Sequence, residues 1–288
     1  MSASPRLMIA GCGDVGSRLG GRLCAAGWEV LGLRRQAAQI SVPIAAVAGD
    51  LQDHLCPSGW PAGRLDYLVY AAAASQHDEA GYHQAYVDGL RHVLGWLEQR
   101  GQRPARLLFV SSTGVYGQQD GEWVDESSPT EPQGFSGQVM LEAEQLALGS
   151  GLPASVVRLS GLYGPGRRRL IDQVRQGYRV AQQPPLYGNR IHVDDAAALL
   201  ALLLQADAAG QALAPVYLGV DDAPAPLHEV VDWLRERLGV SEAVEPRPLR
   251  RVGSKRCRND LARDAGWTPR YPSYREGYGG LIDALAPD

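Results

Sequence analysis

The segment 6-RLMIAGCGDVGSRLGGRLCAAG-27 decides how the rest of the chain is read. Arg6–Ala10 is a short apolar run, and the stretch from Val15 to Ala26 has helical spacing before Gly27 closes it. Between the two stand Gly11, Gly13 and Gly16, in the pattern G-x-G-x-x-G. A strand that turns into a helix needs each glycine for its own reason. Gly11 permits the tight turn, Gly13 lets the backbone approach a pyrophosphate, and Gly16 lets helix lie close on strand. The helix start at Asp14 and Val15 then offers free N–H groups and partial positive charge to phosphate oxygens. A glycine-rich turn that binds nothing is the plainer alternative. Strand, loop and helix in register favour a dinucleotide.

The end of the second strand, 29-EVLGLRR-35, bears on which dinucleotide. An NAD site normally sets an Asp or Glu there against the ribose 2′-OH. No acid occurs between Glu29 and Asp50, and Arg34 and Arg35 leave the strand instead. A guanidinium pairs bidentately with a 2′-phosphate and stacks on adenine. NADP is therefore the expected cofactor, with NAD left open; two solvated surface arginines are the competing explanation.

Outward from this unit, the chain keeps alternating. Apolar runs at 44–48, 66–71, 106–111 and 154–159 read as strands, and helical patterns occupy 82–100 and 137–148. Residues 192–205 and 227–238 read as later helices, with a late strand at 216–220. The sequence thus predicts an α/β protein built on a parallel sheet. With 288 residues, the chain can bury a full core. A net charge of −4 gives no reason to expect nucleic acid or an anionic membrane as partner. No run of 18 apolar residues occurs and no secretory core opens the chain, so a cytoplasmic location is expected. Cys12, Cys24, Cys56 and Cys257 lack CxxC spacing, which argues against disulfides and zinc. Lys255 is the sole lysine.

Several segments together resemble the extended short-chain dehydrogenase/reductase family, also called NAD-dependent epimerases/dehydratases. The glycine loop matches, as does Gly49-Asp50-Leu51, where the family sets an acid and an amide near adenine. Ala71, Ala72, Ala73 and Ala74 resemble its small-residue turn along the cofactor. The stretch 111-SSTGVYG-117 is similar to SSxxVYG, Arg158 with 163-YGPG-166 to R…YGPG, and 190-RIHVDD-195 to R-x-HVDD. The likeness runs from the N-terminus to about Ala265. It implies a doubly wound parallel Rossmann sheet with a small C-terminal substrate domain. Residues 1–163 would form the NAD(P)-binding domain, its sheet completed by parts of 186–220, and 164–288 mainly the cap. A small-molecule substrate, anionic or a nucleotide-sugar, would lie between them.

The likeness breaks at 134-GFSGQVMLEAEQL-146. The family carries Tyr-x-x-x-Lys just ahead of L-x-A-E. Aligning Leu141-Glu142-Ala143-Glu144 to that tail puts Ser136 at the tyrosine and Met140 at the lysine. Sliding by one residue gives Phe135 and Val139, and the sole lysine excludes any other register. A lysine beside the tyrosine lowers the phenol's pKa and holds the nicotinamide ribose; methionine does neither. Loss of a positioned general acid costs about 10²–10⁴-fold in rate. A second departure is Tyr86, which stands at the family's usual asparagine.

Ser112 matches the family's active-site hydroxyl. Tyr116 and His192 are the candidate replacement acids, the first for its place four residues past Ser112, the second for titrating near pH 7. A packed turn aromatic and a backbone-bonded histidine are the plainer readings, and Tyr163 stands as they do. Arg167-Arg168-Arg169 and 247-RPLRRVGSKRCR-258 would suit an anionic substrate if they converge on the cleft. The stretch 266-GWTPRYPSY-274 resembles the family's closing signature and reads as a clasp. The helices at 82–100 and 137–148 leave a homodimer open. Two functions compete: an NADP(H)-dependent oxidoreductase or epimerase-like enzyme without the usual pair, and a non-catalytic NADP(H)-binding redox sensor or regulatory protein.

Overall fold

The computed structural model describes residues 4–241 and 253–285. Seven strands, β1 (Arg6–Ala10), β2 (Glu29–Arg34), β3 (Ala45–Ala48), β4 (Tyr67–Tyr70), β5 (Arg106–Ser112), β6 (Ala154–Leu159) and β7 (Val216–Gly219), form one sheet. Their order is β7-β6-β5-β4-β1-β2-β3, and every pair is parallel. The chain winds outward from β1 to β3 and then restarts at β4 on the other side of β1. That reversal opens a crevice above the carboxyl ends of β1 and β4, where sheets of this kind bind ligands.

The helices are α1 (Asp14–Ala25), α2 (Glu79–His83), α3 (Gly89–Gln99), α4 (Phe135–Leu148), α5 (Arg169–Arg175), α6 (Val193–Ala208), α7 (Leu227–Arg237), α8 (Asp260–Asp264) and α9 (Tyr274–Asp283). Side chains alternate faces along a strand, so β1 feeds two cores. Leu7 and Ile9 pack with Leu19 and Leu23 of α1 and Leu199 and Leu203 of α6. Met8 and Ala10 pack with Leu90, Val93 and Trp96 of α3 and Met140 and Ala143 of α4. Helices on both faces explain why the strands are apolar throughout rather than alternating. Each fully buried Leu or Ile contributes about 1.5–3 kcal/mol.

A third apolar cluster joins Tyr163, Ile171, Val174, Val231, Leu234, Tyr274 and Tyr278 beside the sheet domain. The closing aromatic segment behaves as a clasp: Trp267 is buried in the first core, and the Asp195 carboxylate accepts the N–H groups of Arg270 and Tyr271 at 2.8 and 2.9 Å. No helix among the described residues is long and apolar enough to cross a membrane.

One helix differs from the sequence expectation in a way that touches the site. The helix expected from Tyr82 starts at Glu79, where the Asp78 side chain accepts the Gly81 N–H at 2.8 Å. It then passes through a π-helical turn at Gln84–Asp88 before α3. Apolar spacing at Val87, Leu90, Val93 and Leu97 marks the buried stripe but carries no sign of a widened turn upstream.

Candidate functional site

Two adjoining cavities fill the crevice. The first, about 540 Å³, is lined by Gly11, Gly13, Arg34, Arg35, Asp50, Leu51, Ala71, Ala72 and Ala73. The second, about 310 Å³, shares Gly13 and the three alanines and adds Asp14, Val15, Ser112, Ser136, Met140, Tyr82 and Tyr86. The cofactor residues expected from sequence thus meet on one cleft, except Gly16, which is buried in α1.

The glycine loop is shaped by contact on one side and left open on the other. Gly11 has φ +83°, and a Cβ there would lie 2.6 Å from the Ala72 backbone. A Cβ on Gly13 would meet only the Gly11 carbonyl at 4.0 Å, so a side chain there would project into the cleft. No side chain caps α1 at Gly13, which leaves the first-turn N–H groups of Asp14, Val15 and Gly16 to an outside acceptor. At the far end, Arg34 is half-buried and Arg35 exposed, and among the described residues neither forms an ion pair. Asp50 is held in its turn by accepting the Gln52 N–H at 3.1 Å. Such a cleft suits a ligand with phosphate at two separated points.

The second cavity gathers hydroxyls. Ser112 ends β5, and its Oγ accepts the Gly114 N–H at 3.1 Å, so its own hydrogen can be donated. Ser136 and Met140 face this cavity from the first turns of α4, as the alignment to the family places them. Tyr82 and Tyr86 also line it, with ring centroids 5.3 Å apart. The Tyr86 hydroxyl accepts the Ala74 N–H at 3.4 Å. Burial pushes the Tyr86 phenol up from its ordinary value, and that N–H partly offsets the effect. Sequence reasoning did not include either tyrosine among the site residues; its one signal was Tyr86 at the family's asparagine.

Tyr116 and His192, the candidate replacement acids, line neither cavity and stand in the packed and backbone-bonded settings given as their plainer readings. Tyr116 is 3% exposed and lines neither cavity. Its hydroxyl donates to the Asp125 carbonyl at 2.8 Å and accepts from Arg158 Nη1 at 2.7 Å. Burial pushes this phenol up to about 12 despite the guanidinium. Arg158 also pairs with Glu144 at 2.7 Å, and Ser111 Oγ donates to Glu144 at 2.5 Å. Three of the sequence motifs are therefore tied together in one buried network beneath the cleft. His192 is 2% exposed, and its Nδ1 accepts the Asp194 N–H at 3.2 Å as the N-cap of α6. Burial lowers its pKa, and the ring nitrogen serves as the helix cap. Tyr163 is buried against His192 and Tyr278.

Among the described residues of the two arginine clusters, one reaches the cleft. Arg167 reaches it, pairing through Nε with Asp14 at 2.8 Å; Arg18 bridges Asp14 and Asp194 at 2.8 and 2.5 Å. Burial alone would raise the Asp14 carboxyl, but the bonds from Arg167 and Arg18 hold it below its usual value. Arg168 and Arg169 line a separate open cavity of about 490 Å³. Of the second basic stretch, 247–252 lie outside the described residues. Arg256 stacks on Trp123 and Tyr187, each 4.8 Å away, and the Lys255 ammonium donates to the Tyr116 carbonyl at 3.0 Å. The sole lysine is thus committed elsewhere. Among the described residues no group of His, Cys, Asp and Glu could hold a metal ion.

A doubly wound sheet with a phosphate-ready cleft at its switch point defines a Rossmann-type α/β protein. More specifically, the chain belongs to the NAD-dependent epimerase/dehydratase family, whose model matches residues 7–218. It is 31% identical to dTDP-6-deoxy-L-talose 4-dehydrogenase (NAD(P)(+)) of Kitasatospora kifunensis, over 91% of this chain and 90% of that one. It is 27% identical to the 3-diazoavenalumate denitrifying reductase of a Streptomyces species, over 95% and 99% of the two chains. Among solved structures, an epimerase/dehydratase-family protein from Methylobacillus flagellatus superposes with a TM-score of 0.80 at 36% identity, covering 98% of this chain and 99% of the other.

Proposed function

We propose that the chain is an NADP(H)-linked oxidoreductase that interconverts a carbonyl and an alcohol on a small polar substrate of nucleotide-sugar type. The observation that carries this reading is the pair of guanidinium groups, Arg34 and Arg35, without an ion-pair partner among the described residues, at one end of a continuous cleft whose middle is the uncapped start of α1. The N–H groups of Asp14–Gly16 would take the pyrophosphate, the two arginines the 2′-phosphate, and the Ala71–Ala73 turn the body of the dinucleotide. When bound, the nicotinamide supplies or accepts two electrons and one hydrogen. The chain then has to orient the substrate and manage one proton. Ser112 orients the substrate oxygen, its Oγ being fixed by the Gly114 N–H. The relative from Kitasatospora acts, by its name, at C4 of a dTDP-sugar with NAD(P)(+), which supports the substrate class.

A non-catalytic NADP(H) sensor is the second reading, favoured by Met140 at the lysine position. Turnover separates the two. Incubation with NADP⁺ and dTDP-6-deoxy-L-talose, and with NADPH and a panel of 4-keto sugars and small ketones, is expected to change absorbance at the nicotinamide band. NADP⁺ binding without turnover on any of these would leave the sensor.

A further inference from the structure

We propose that Tyr86 is the catalytic acid of this cleft, lining the same cavity as Ser136, which stands at the family's usual tyrosine position. The inference rests on the oxidoreductase reading. Its ground is that one phenol meets three requirements together: access to the cavity, a proton to give, and a partner for the charge left behind.

Access comes from the π-helical turn. Tyr86 lies within Gln84–Asp88 and faces the same 310 Å³ cavity as Ser112, Ser136 and Met140. No proline lies between Glu79 and Gln99 to force this turn. Wide turns of this kind are uncommon inside helices and recur at functional sites. Here the turn sets a half-buried tyrosine against the Ala71–Ala74 segment along the cofactor's path.

The proton follows from hydrogen-bond direction. The Tyr86 oxygen accepts the Ala74 N–H at 3.4 Å, which leaves its own hydrogen to donate. The same N–H shortens and strengthens as negative charge grows on the oxygen, so the phenolate has a waiting partner. Burial keeps the group protonated at neutral pH until a substrate oxygen demands the proton. A phenol ionises near pH 10; the aliphatic hydroxyl of Ser136 is a far weaker acid. Tyr82 lines the same cavity, but its ring is engaged edge-on by Phe135, and no N–H among the described residues is aimed at its oxygen.

In the reducing direction a bound dihydronicotinamide would supply a hydrogen with its electron pair to the carbonyl carbon. The C–O π pair moves to oxygen, the Tyr86 O–H bond breaks, and the new alcohol O–H forms. Water at the open end of the cleft returns a proton to the phenolate. One proton is consumed per carbonyl reduced. Ser112 donates a hydrogen bond to the same oxygen without giving up its proton.

The test is Tyr86→Phe, assayed with NADPH and the 4-keto form of dTDP-6-deoxy-L-talose. The expected result is a fall in kcat of about 10²–10⁴-fold with NADP⁺ affinity within about threefold of wild type. The wild-type rate should also decline at alkaline pH as the phenol ionises, and the residual Tyr86→Phe rate should lack that limb. A readout independent of turnover is NMR of [¹³Cζ]tyrosine protein, with the Tyr86 signal assigned by its loss in the variant. NADP⁺ is expected to shift that signal and leave the signal of buried Tyr116 in place. An unmoved Tyr86 signal at saturating NADP⁺, or a Tyr86→Phe rate equal to wild type, overturns the assignment alone. A wild type inactive on the whole panel removes the oxidoreductase reading and the acid with it.

Discussion

If Arg34 and Arg35 hold a 2′-phosphate as proposed, replacing both by alanine should weaken NADP⁺ binding and leave NAD⁺ binding nearly unchanged. Neither guanidinium has a counter-ion among the described residues, and both line the cavity where β2 ends. Hydrogen bonds to charged groups contribute about 1.5–3 kcal/mol each. Arg35 is exposed and Arg34 half-buried, so solvent screening favours the low end, about 1.5 kcal/mol apiece. That is about tenfold in affinity per arginine and, if the two act independently, about a hundredfold together. NAD⁺ lacks the 2′-phosphate and should lose little. Isothermal titration of both nucleotides against wild type and the double variant, at fixed ionic strength, gives the comparison. Raising salt from 0.1 to 1 M shortens the screening length from about 10 to 3 Å and should weaken NADP⁺ binding to the wild type more than NAD⁺ binding. Equal losses for the two nucleotides, or no loss for NADP⁺, would refute the assignment of these arginines.

Three further outcomes test other parts of the account. Gly13→Ala should weaken dinucleotide binding at least about tenfold while changing stability by less than about 1 kcal/mol, because the added methyl enters the cleft rather than the core; calorimetry and urea unfolding read the two effects. Glu144→Ala leaves the Arg158 charge buried without its carboxylate and should cost about 3–5 kcal/mol in chemical unfolding, with part recovered in the Glu144→Leu, Arg158→Met pair. Asp221 is buried, and desolvation, opposed by Arg190, pushes its carboxyl up to about 7. The raised value means that its contribution is fully present below the unfolded pKa and is lost as pH rises through about 7. Asp221→Asn should therefore stabilise the protein at pH 8 by up to about 4 kcal/mol more than at pH 4; a pH-independent difference in unfolding midpoints would count against it.

The strands were legible because parallel strands covered on both faces are apolar throughout. The run 154–159 coincides with β6, and 29–33 falls one residue short of the end of β2. The lining of the cleft was legible for a related reason: a glycine loop after a strand is a local device, and Asp50 and Ala71–Ala73, which line the same cavity, follow other strands of the same sheet. The settings of Tyr116, His192 and Tyr86 were less legible. Tyr116 sits four residues past Ser112, yet after β5 the chain takes a 3-10 turn at Thr113–Val115, and Tyr116 then lies beneath the cleft on Arg158. His192 occupies a strongly patterned motif because α6 needs a cap. Tyr86 reaches the cavity through a widened helical turn, which residue spacing does not encode. Asp195 read as part of a motif, and its role proves to be holding the amides of a segment about 75 residues onward, a pairing only the fold brings about.

The most direct test of the central claim is a crystal structure of the chain with NADP⁺ at saturating concentration. The account predicts the pyrophosphate on the amides of Asp14, Val15 and Gly16, the 2′-phosphate within reach of Arg34 and Arg35, and the nicotinamide between Met140 and Tyr86. A dinucleotide bound anywhere else, or in this cleft with its adenosine end toward Tyr86, would contradict it.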